Sequence, residues 1–170
     1  ARAEAVGRMI QRTPEFADTG CRVTSTGDAN RALDGADALY VTMAVGGPLT
    51  TALSRQASMT RGFISSDQLS LTGAMLACTA GPAILGFARK MERLCPRAMM
   101  LIFANPVAVY SGMVNNHTGI RALGVCGGFG NHRWDLTRLM GHDEYRDEYD
   151  VNVAGINHLS FILDGKFHGQ

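Results

Sequence analysis

Residues 38–47 read ALYVTMAVGG, an apolar run that ends in two glycines. A run without polar alternation predicts a strand buried on both faces, the pattern of a parallel sheet with helices packed over it. Its Gly-Gly end predicts a ligand site, because open α/β sheets bind ligands in the crevice outside the carboxyl ends of their strands. Downstream, GPLTTALSRQASMTRGF (47–63) and GAMLACTAGPAILGFARKMERLCP (73–96) read as helices, the second bent or interrupted around Gly81 and Pro82. AMMLIFANP (98–106) is a second buried strand, stopped by Pro106. The helix VAVYSGMVNN (107–116), the strand ALGVCGG (122–128) and the helix HRWDLTRLM (132–140) continue the alternation.

Upstream, Ala3, Val6, Met9 and Ile10 form the apolar stripe of an opening helix, CRVTST (21–26) has strand composition, and Asp28 caps a short helix that stops at Gly35. At the other end, the acidic GHDEYRDEYD (141–150) reads as a solvated connection. VNVAGINHLSFILDGKFHG (151–169) reads as two short strands around an Asp164-Gly165 turn, with His158 inside a buried apolar strand segment. Strands alternating with helices predict an α/β fold, a doubly wound, Rossmann-like parallel sheet. Its strand ends would carry Val45, Gly46 and Gly47, then Asn105 and Pro106, then Cys126 and Gly127.

Composition narrows the function classes. The chain has 170 residues, 46% hydrophobic and 18% charged, with 20 glycines and a formal net charge of +1. That length suits one compact domain or a piece of one. The near-neutral charge, without a Lys/Arg run interleaved with aromatics, argues against nucleic acid as a partner. No apolar run is expected to reach membrane-spanning length, and ARAEAVGRMIQ (1–11) lacks the pattern of a signal peptide. Cys21, Cys78, Cys95 and Cys126 are scattered, as expected of reduced thiols in a cytoplasmic protein. The chain opens inside a helix and without an initiator methionine, so it is expected to be the central portion of a longer polypeptide.

A cysteine at a strand end is ordinarily a small buried hydrophobe, and a histidine among apolar residues is ordinarily a satisfied core residue. A thiolate with an imidazole is also a donor pair suited to a borderline divalent metal, with positions left open for substrate oxygens. Cys126 and His158 stand 32 residues apart, room for one helix and a returning strand, and from the residues alone both readings stay open.

The order MAVGG, IFANPVAV, GVCGG and AGINHLSF resembles glycoside hydrolase family 4, whose members carry an (I/V)RVGG turn, an NxxNP strand end, a cysteine-centred motif and a G(I/L)NH segment. The likeness runs from about Ala36 to Phe161. It implies NAD and a divalent metal, usually Mn, and cleavage of glycosides by redox-assisted elimination rather than by paired carboxylates. In that scheme hydride leaves the sugar C3, the C2 proton becomes acidic and is removed, the aglycone departs from C1, water adds, and C3 is reduced again. By the resemblance Cys126 and His158 hold the metal, Asn105 contacts sugar or nicotinamide, and Asn157 binds substrate beside the metal histidine. Val45 and Gly46 with Asn105 would contact the cofactor. Asp67 falls where the family has a glutamate near the active site, although a helix-capping or solvated acid is an equal reading of that residue.

The resemblance also implies that residues 1–150 are the central and C-terminal part of a dinucleotide-binding domain and that 151–170 begin the substrate and metal-site domain. The first strand-turn-helix and most of the substrate domain would lie outside the chain. A small sugar or glycoside is the expected partner, with no nucleic acid or membrane, and a homo-oligomer, dimer or tetramer, is expected.

The departures from the family pattern are specific. The arginine of RVGG is Ala44, the GPGG segment is SLTG (70–73), and the position after the metal cysteine is Gly127, which offers no side-chain acid to the leaving group. His132 is the substitute acid nearest in sequence. Two other readings remain open. NPVAVYSGM (105–113) also resembles the Asn-Pro-Val strand end of lactate and malate dehydrogenases, although no Gly-Glu-His-Gly segment supplies a catalytic histidine. A catalytically degenerate module that binds NAD or a sugar would also tolerate Ala44, Gly127 and SLTG.

Overall fold

The computed structural model describes residues 2–17, 19–68, 70–142, 149–156 and 158–167, with backbone alone at 2, 15, 17, 129, 131–133, 149 and 167. The chain divides into two compact units, Ala1–Gly124 and Val125–Gln170.

The first unit is an α/β layer structure, as the alternation predicts. Its elements are α1 (Arg2–Ile10), α2 (Pro14–Ala17), α3 (Ala29–Leu33), β1 (Ala38–Val41), α4 (Gly47–Met59), α5 (Leu71–Leu94), β2 (Met99–Ile102), α6 (Val107–His117) and β3 (Arg121–Gly124). The strands form a parallel sheet in the order β1-β2-β3, with Tyr40 beside Leu101 and Leu101 beside Leu123. Side chains alternate across a sheet, so Val41, Met100 and Ile102 point to one face and Tyr40, Leu101 and Leu123 to the other. The first face is the core. Met100, Ile102, Ile84, Met91 and Val114 are wholly buried, and each such side chain contributes about 1.5–3 kcal/mol.

The core helix is α5. Its buried residues Gly73, Ala80, Ile84, Ala88 and Met91 recur at helical spacing and make one stripe, while Pro82 lies on the exposed side. Two expectations are corrected here. Of the bent or interrupted helix expected around Gly81 and Pro82, the interruption is corrected: α5 is continuous from Leu71 to Leu94 with Pro82 inside it. By length and composition alone it is also apolar and long enough to cross a membrane, but it packs against α3, α4 and α6 as a core helix.

Two strand predictions are also corrected. β1 is not buried on both faces: Tyr40 is 55% exposed and stacks on Phe103 with ring centroids 6.2 Å apart. Residues 21–26 form no strand. They lie along α1, where Ser25 Oγ donates to the Ala3 carbonyl at 3.0 Å and Gln11 Nε2 donates to the Val23 carbonyl at 3.2 Å.

The second unit contains α7 (Gly128–Leu139) and an antiparallel hairpin of β4 (Tyr149–Ile156) and β5 (Leu159–Phe167). The hairpin turns between Ile156 and Leu159, not at Asp164-Gly165. Asp164 instead pairs with Asn152 in mid-ladder, beside a register shift between Asn152 and Val153. The expected buried segment around His158 is therefore exposed, with Ile156 and Leu159 each at 69% and Phe161 at 74%. Of the expected acidic connection, residues 143–148 lie outside the described residues.

Candidate functional site

The chain turns sharply after β1 at Gly46 (φ 77°) and Gly47 (φ 61°), left-handed conformations in which glycine meets no Cβ penalty, and Pro48 stands in the first turn of α4. After β2 the chain passes through Phe103 and Asn105 into α6, across a cis Asn105–Pro106 peptide bond. Between these two strand ends lies a cleft of about 220 Å³, lined by Thr42–Val45, Thr51, Asp67, Phe103–Asn105 and Tyr110, among others. It lies at two of the three strand ends expected to carry ligand residues; Cys126 and Gly127 belong to the second unit and are not among its lining.

Asn105 and Asp67, 38 residues apart, meet here: Asn105 Nδ2 donates to Asp67 Oδ2 at 3.0 Å. Neither residue is a helix cap. The cap of α6 is Pro106, and the cap of α5 is Ser70, whose hydroxyl accepts from Thr72 N at 3.1 Å. The capping reading of Asp67 is thus replaced by a carboxylate that lines the cleft. Val45 lines it too, with Gly46 next to it at the cap of α4. At the cleft wall Tyr110 is 1% exposed and donates its hydroxyl to the Leu76 carbonyl at 3.0 Å. Burial, and secondarily the Cys78 thiol, pushes the Tyr110 phenol above its ordinary pKa, so it stays protonated as a donor.

Sequence reasoning missed the groups that hold this cleft. Ser58 and Thr72 are wholly buried between α4 and α5, with hydroxyl oxygens 2.7 Å apart. Ser66 and Ser70 close the loop that carries Asp67. The signal was present in FISSDQLSLTG (63–73), where hydroxyl residues gather ahead of an apolar helix, a capping signature. What appeared as the loss of a GPGG segment, SLTG, is the start of α5.

In the second unit, Cys126 Sγ lies 3.2 Å from His158 Nε2, and the backbone N–H of Gly128 donates to Cys126 Sγ at 3.5 Å. His158 occupies the hairpin turn at φ 62°, a conformation uncommon for a residue with a side chain. The fold thus brings together the two donors that the residues alone left apart. A thiol sulfur and an imidazole nitrogen this close form a donor pair that would suit a borderline divalent ion. Among the described residues no group of three His, Cys, Asp or Glu side chains gathers. The His132 side chain and Asn157 lie outside the described residues. All four cysteines are free.

A parallel sheet with a cleft at its strand ends defines the class, a Rossmann-like α/β protein. Comparison with known proteins narrows the class to one family. The model described as "Family 4 glycosyl hydrolase" matches residues 1–140, and the chain belongs to that family. It is 27% identical over 164 residues to a 6-phospho-beta-glucosidase of Escherichia coli (strain K12), covering 95% of this chain and 36% of that protein. It is 29% identical over 104 residues to an alpha-galactosidase of Bacillus subtilis (strain 168), covering 61% of this chain and 24% of the relative. The chain thus spans about a third or less of the length of these curated relatives. Among solved structures, the 6-phospho-beta glucosidase from Thermotoga maritima in its monoclinic form superposes with a TM-score of 0.78 at 18% identity, covering 98% of this chain and 41% of that one. A 6-phospho-alpha-glucosidase from gut microorganisms, in complex with NAD and Mn2+, gives 0.71 at 19% identity, covering 85% and 33%. At these identities the superpositions establish the shared fold.

Proposed function

We propose that the protein to which this chain belongs is a glycosidase that uses NAD and a divalent ion such as Mn to cleave a small glycoside by oxidation at C3, deprotonation at C2 and elimination. The observation that carries this reading is the Cys126–His158 pair at 3.2 Å, in a chain matched by the family 4 model. Its relatives include enzymes named for glucoside and galactoside substrates, and a structural neighbour holds both NAD and Mn2+. When bound, NAD supplies a reversible hydride acceptor and the metal an electrophilic centre for vicinal hydroxyl oxygens.

The chain's own residues have distinct tasks in this reading. Cys126 and His158 hold the ion through sulfur and Nε2. Val45 and Gly46 bring backbone close to the cofactor at the end of β1. Asn105 donates one amide proton to Asp67 and keeps its carbonyl and second proton for a sugar hydroxyl or a carboxamide. Asp67, bonded through one oxygen, keeps the other to accept a hydroxyl proton. Asn157, beside His158, is assigned to substrate. Gly127 has no acid to offer the leaving oxygen, and His132 is the proposed donor in its place.

The test is turnover of 4-nitrophenyl and alkyl glycosides, with and without a 6-phosphate, by the full-length protein in deuterated water with NAD and Mn. Elimination requires deuterium at C2 of the released sugar. With protonation of the leaving oxygen weakly assisted, aryl glycosides should react much faster than alkyl ones. Released sugar without C2 deuterium would remove the mechanism, and hydride transfer without cleavage would mark a dehydrogenase.

A further inference from the structure

Asp67 sits in a loop, and a carboxylate on an ordinary loop would sweep through many positions. This loop is closed on itself. The Ser70 hydroxyl accepts from Ser66 N at 3.0 Å and donates to the Ser66 carbonyl at 2.6 Å. The same carbonyl accepts from Gly73 N at 3.1 Å, and Ser66 Oγ accepts from Gln68 N at 3.3 Å. Residues 66–70 are therefore clasped at both ends by one side chain.

The clasp is seated on α5 by close backbone approach. A Cβ at Gly73 would stand 2.7 Å from the Gln68 carbonyl oxygen and 3.1 Å from that of Asp67, distances that only glycine accommodates without movement. The seat thus lies directly under Asp67, whose side chain reaches Asn105.

We propose that Ser70 is a positioning residue for Asp67: its hydroxyl closes the 66–70 loop and so fixes the carboxylate against Asn105 at the cleft. The inference rests on the reading of Asp67 as a group of the active site. Ser70 also caps α5, accepting from Thr72 N at 3.1 Å, and the two roles separate chemically. Glycine is a fair helix cap but has no hydroxyl, alanine is a poor cap without one, and threonine keeps both functions.

The experiment compares Ser70→Ala, Ser70→Gly and Ser70→Thr in the full-length protein, each alone and combined with Asp67→Asn, reading kcat, KM and Tm with the best glycoside of the panel above. Ser70→Ala and Ser70→Gly should each lose about tenfold or more in kcat, the size of effect expected when a reacting group is misplaced by a fraction of an ångström to an ångström. Ser70→Thr should keep kcat. Ser70→Ala and Ser70→Gly should both lower Tm, since each removes the bonds to Ser66, with Ser70→Ala lower still through its poorer cap, and no Ser70 variant should lower kcat further once Asp67 is Asn. If Ser70→Gly turns over like the parent, or the kcat losses of Ser70→Gly and Ser70→Ala are graded as their Tm losses are, Ser70 is only a cap and the proposal is overturned. If Asp67→Asn alone leaves kcat unchanged, the reading of Asp67 fails and the clasp loses its role with it. The two failures are distinguished by that single variant.

Discussion

Replacing Thr72 by valine removes one hydroxyl from a buried chain while keeping the shape of the side chain. Ser58 Oγ donates to the Ser54 carbonyl at 3.0 Å, which uses its only proton. The 2.7 Å contact therefore has Thr72 as donor and Ser58 as acceptor, and Ser65, 3.4 Å from Thr72 Oγ1, donates in turn. In Thr72→Val, Ser58 keeps its own donation but accepts nothing, and Ser65 loses an acceptor. A net hydrogen bond is worth about 1 kcal/mol and a buried group left unpaired costs about 1–3, so with Ser58 half satisfied the loss should be about 1.5 kcal/mol. Ser58→Ala should cost less, about 1 kcal/mol, because Thr72 Oγ1 lies 3.5 Å from the Ser54 carbonyl and can turn to it. With both hydroxyls gone Ser58 no longer leaves an orphan and Ser65 lacks its acceptor just as in Thr72→Val, so the double variant should be no worse than Thr72→Val, a coupling of about 1 kcal/mol. Urea unfolding of the four proteins, followed by far-ultraviolet circular dichroism, gives the cycle from the midpoints at constant slope. Strictly additive single effects, or a Thr72→Val variant as stable as the parent, would refute the donor order and the relay with it.

The remaining expectations concern the metal pair, the cleft and alkaline stability. Cys126→Ser and His158→Ala should each abolish Mn binding measured by titration calorimetry on the full-length protein; retention of full stoichiometry by either would remove it as a ligand. Gly128→Ala should weaken the same affinity, because its Cβ would stand 3.2 Å from His158 Cε1 and 3.3 Å from Nε2, whereas Gly130→Ala, with nothing within 4 Å, should not. Equal affinities for these two variants would show that the crowding is absorbed. Asn105→Ala should lower kcat far more than stability, since its side chain is exposed and bonded only to Asp67 among the contacts described; a normal kcat would deny it a place in the site. Burial first, and Asp34 second, raises the Cys95 thiol above its ordinary 9.0, and burial raises the Tyr110 phenol above 10.0. A raised folded pKa stabilises fully below the unfolded value and is lost as pH rises through the folded one. The urea midpoint should therefore fall from about pH 9 upward, less steeply in Cys95→Ala, and a midpoint flat to about pH 11 would contradict both shifts.

Much of the first unit was written locally. The parallel strands, the cap at Asp28, the breaks at the glycines after β1 and at Pro106, and the stripe of α5 each follow from neighbours a few residues apart, where periodicity and turn chemistry act. The four motifs that resemble family 4 are local as well, and they named the family correctly.

What local pattern could not carry was pairing over distance. CRVTST has the composition of a strand, but α1 supplies its hydrogen-bond partners, and β propensity decides little without a neighbouring strand. The apolar residues around His158 suggest burial, yet the hairpin register puts the turn between Ile156 and Leu159, and a shift of turn changes which groups face solvent. Asp67 and Asn105, 38 residues apart, and Cys126 and His158, 32 apart, became pairs only because helices and strand ends closed those loops. Residue type determined what chemistry these side chains can do. Their separation, at 3.0 and 3.2 Å, was decided by tertiary packing, because no sequence spacing fixes the distance between the ends of a long loop.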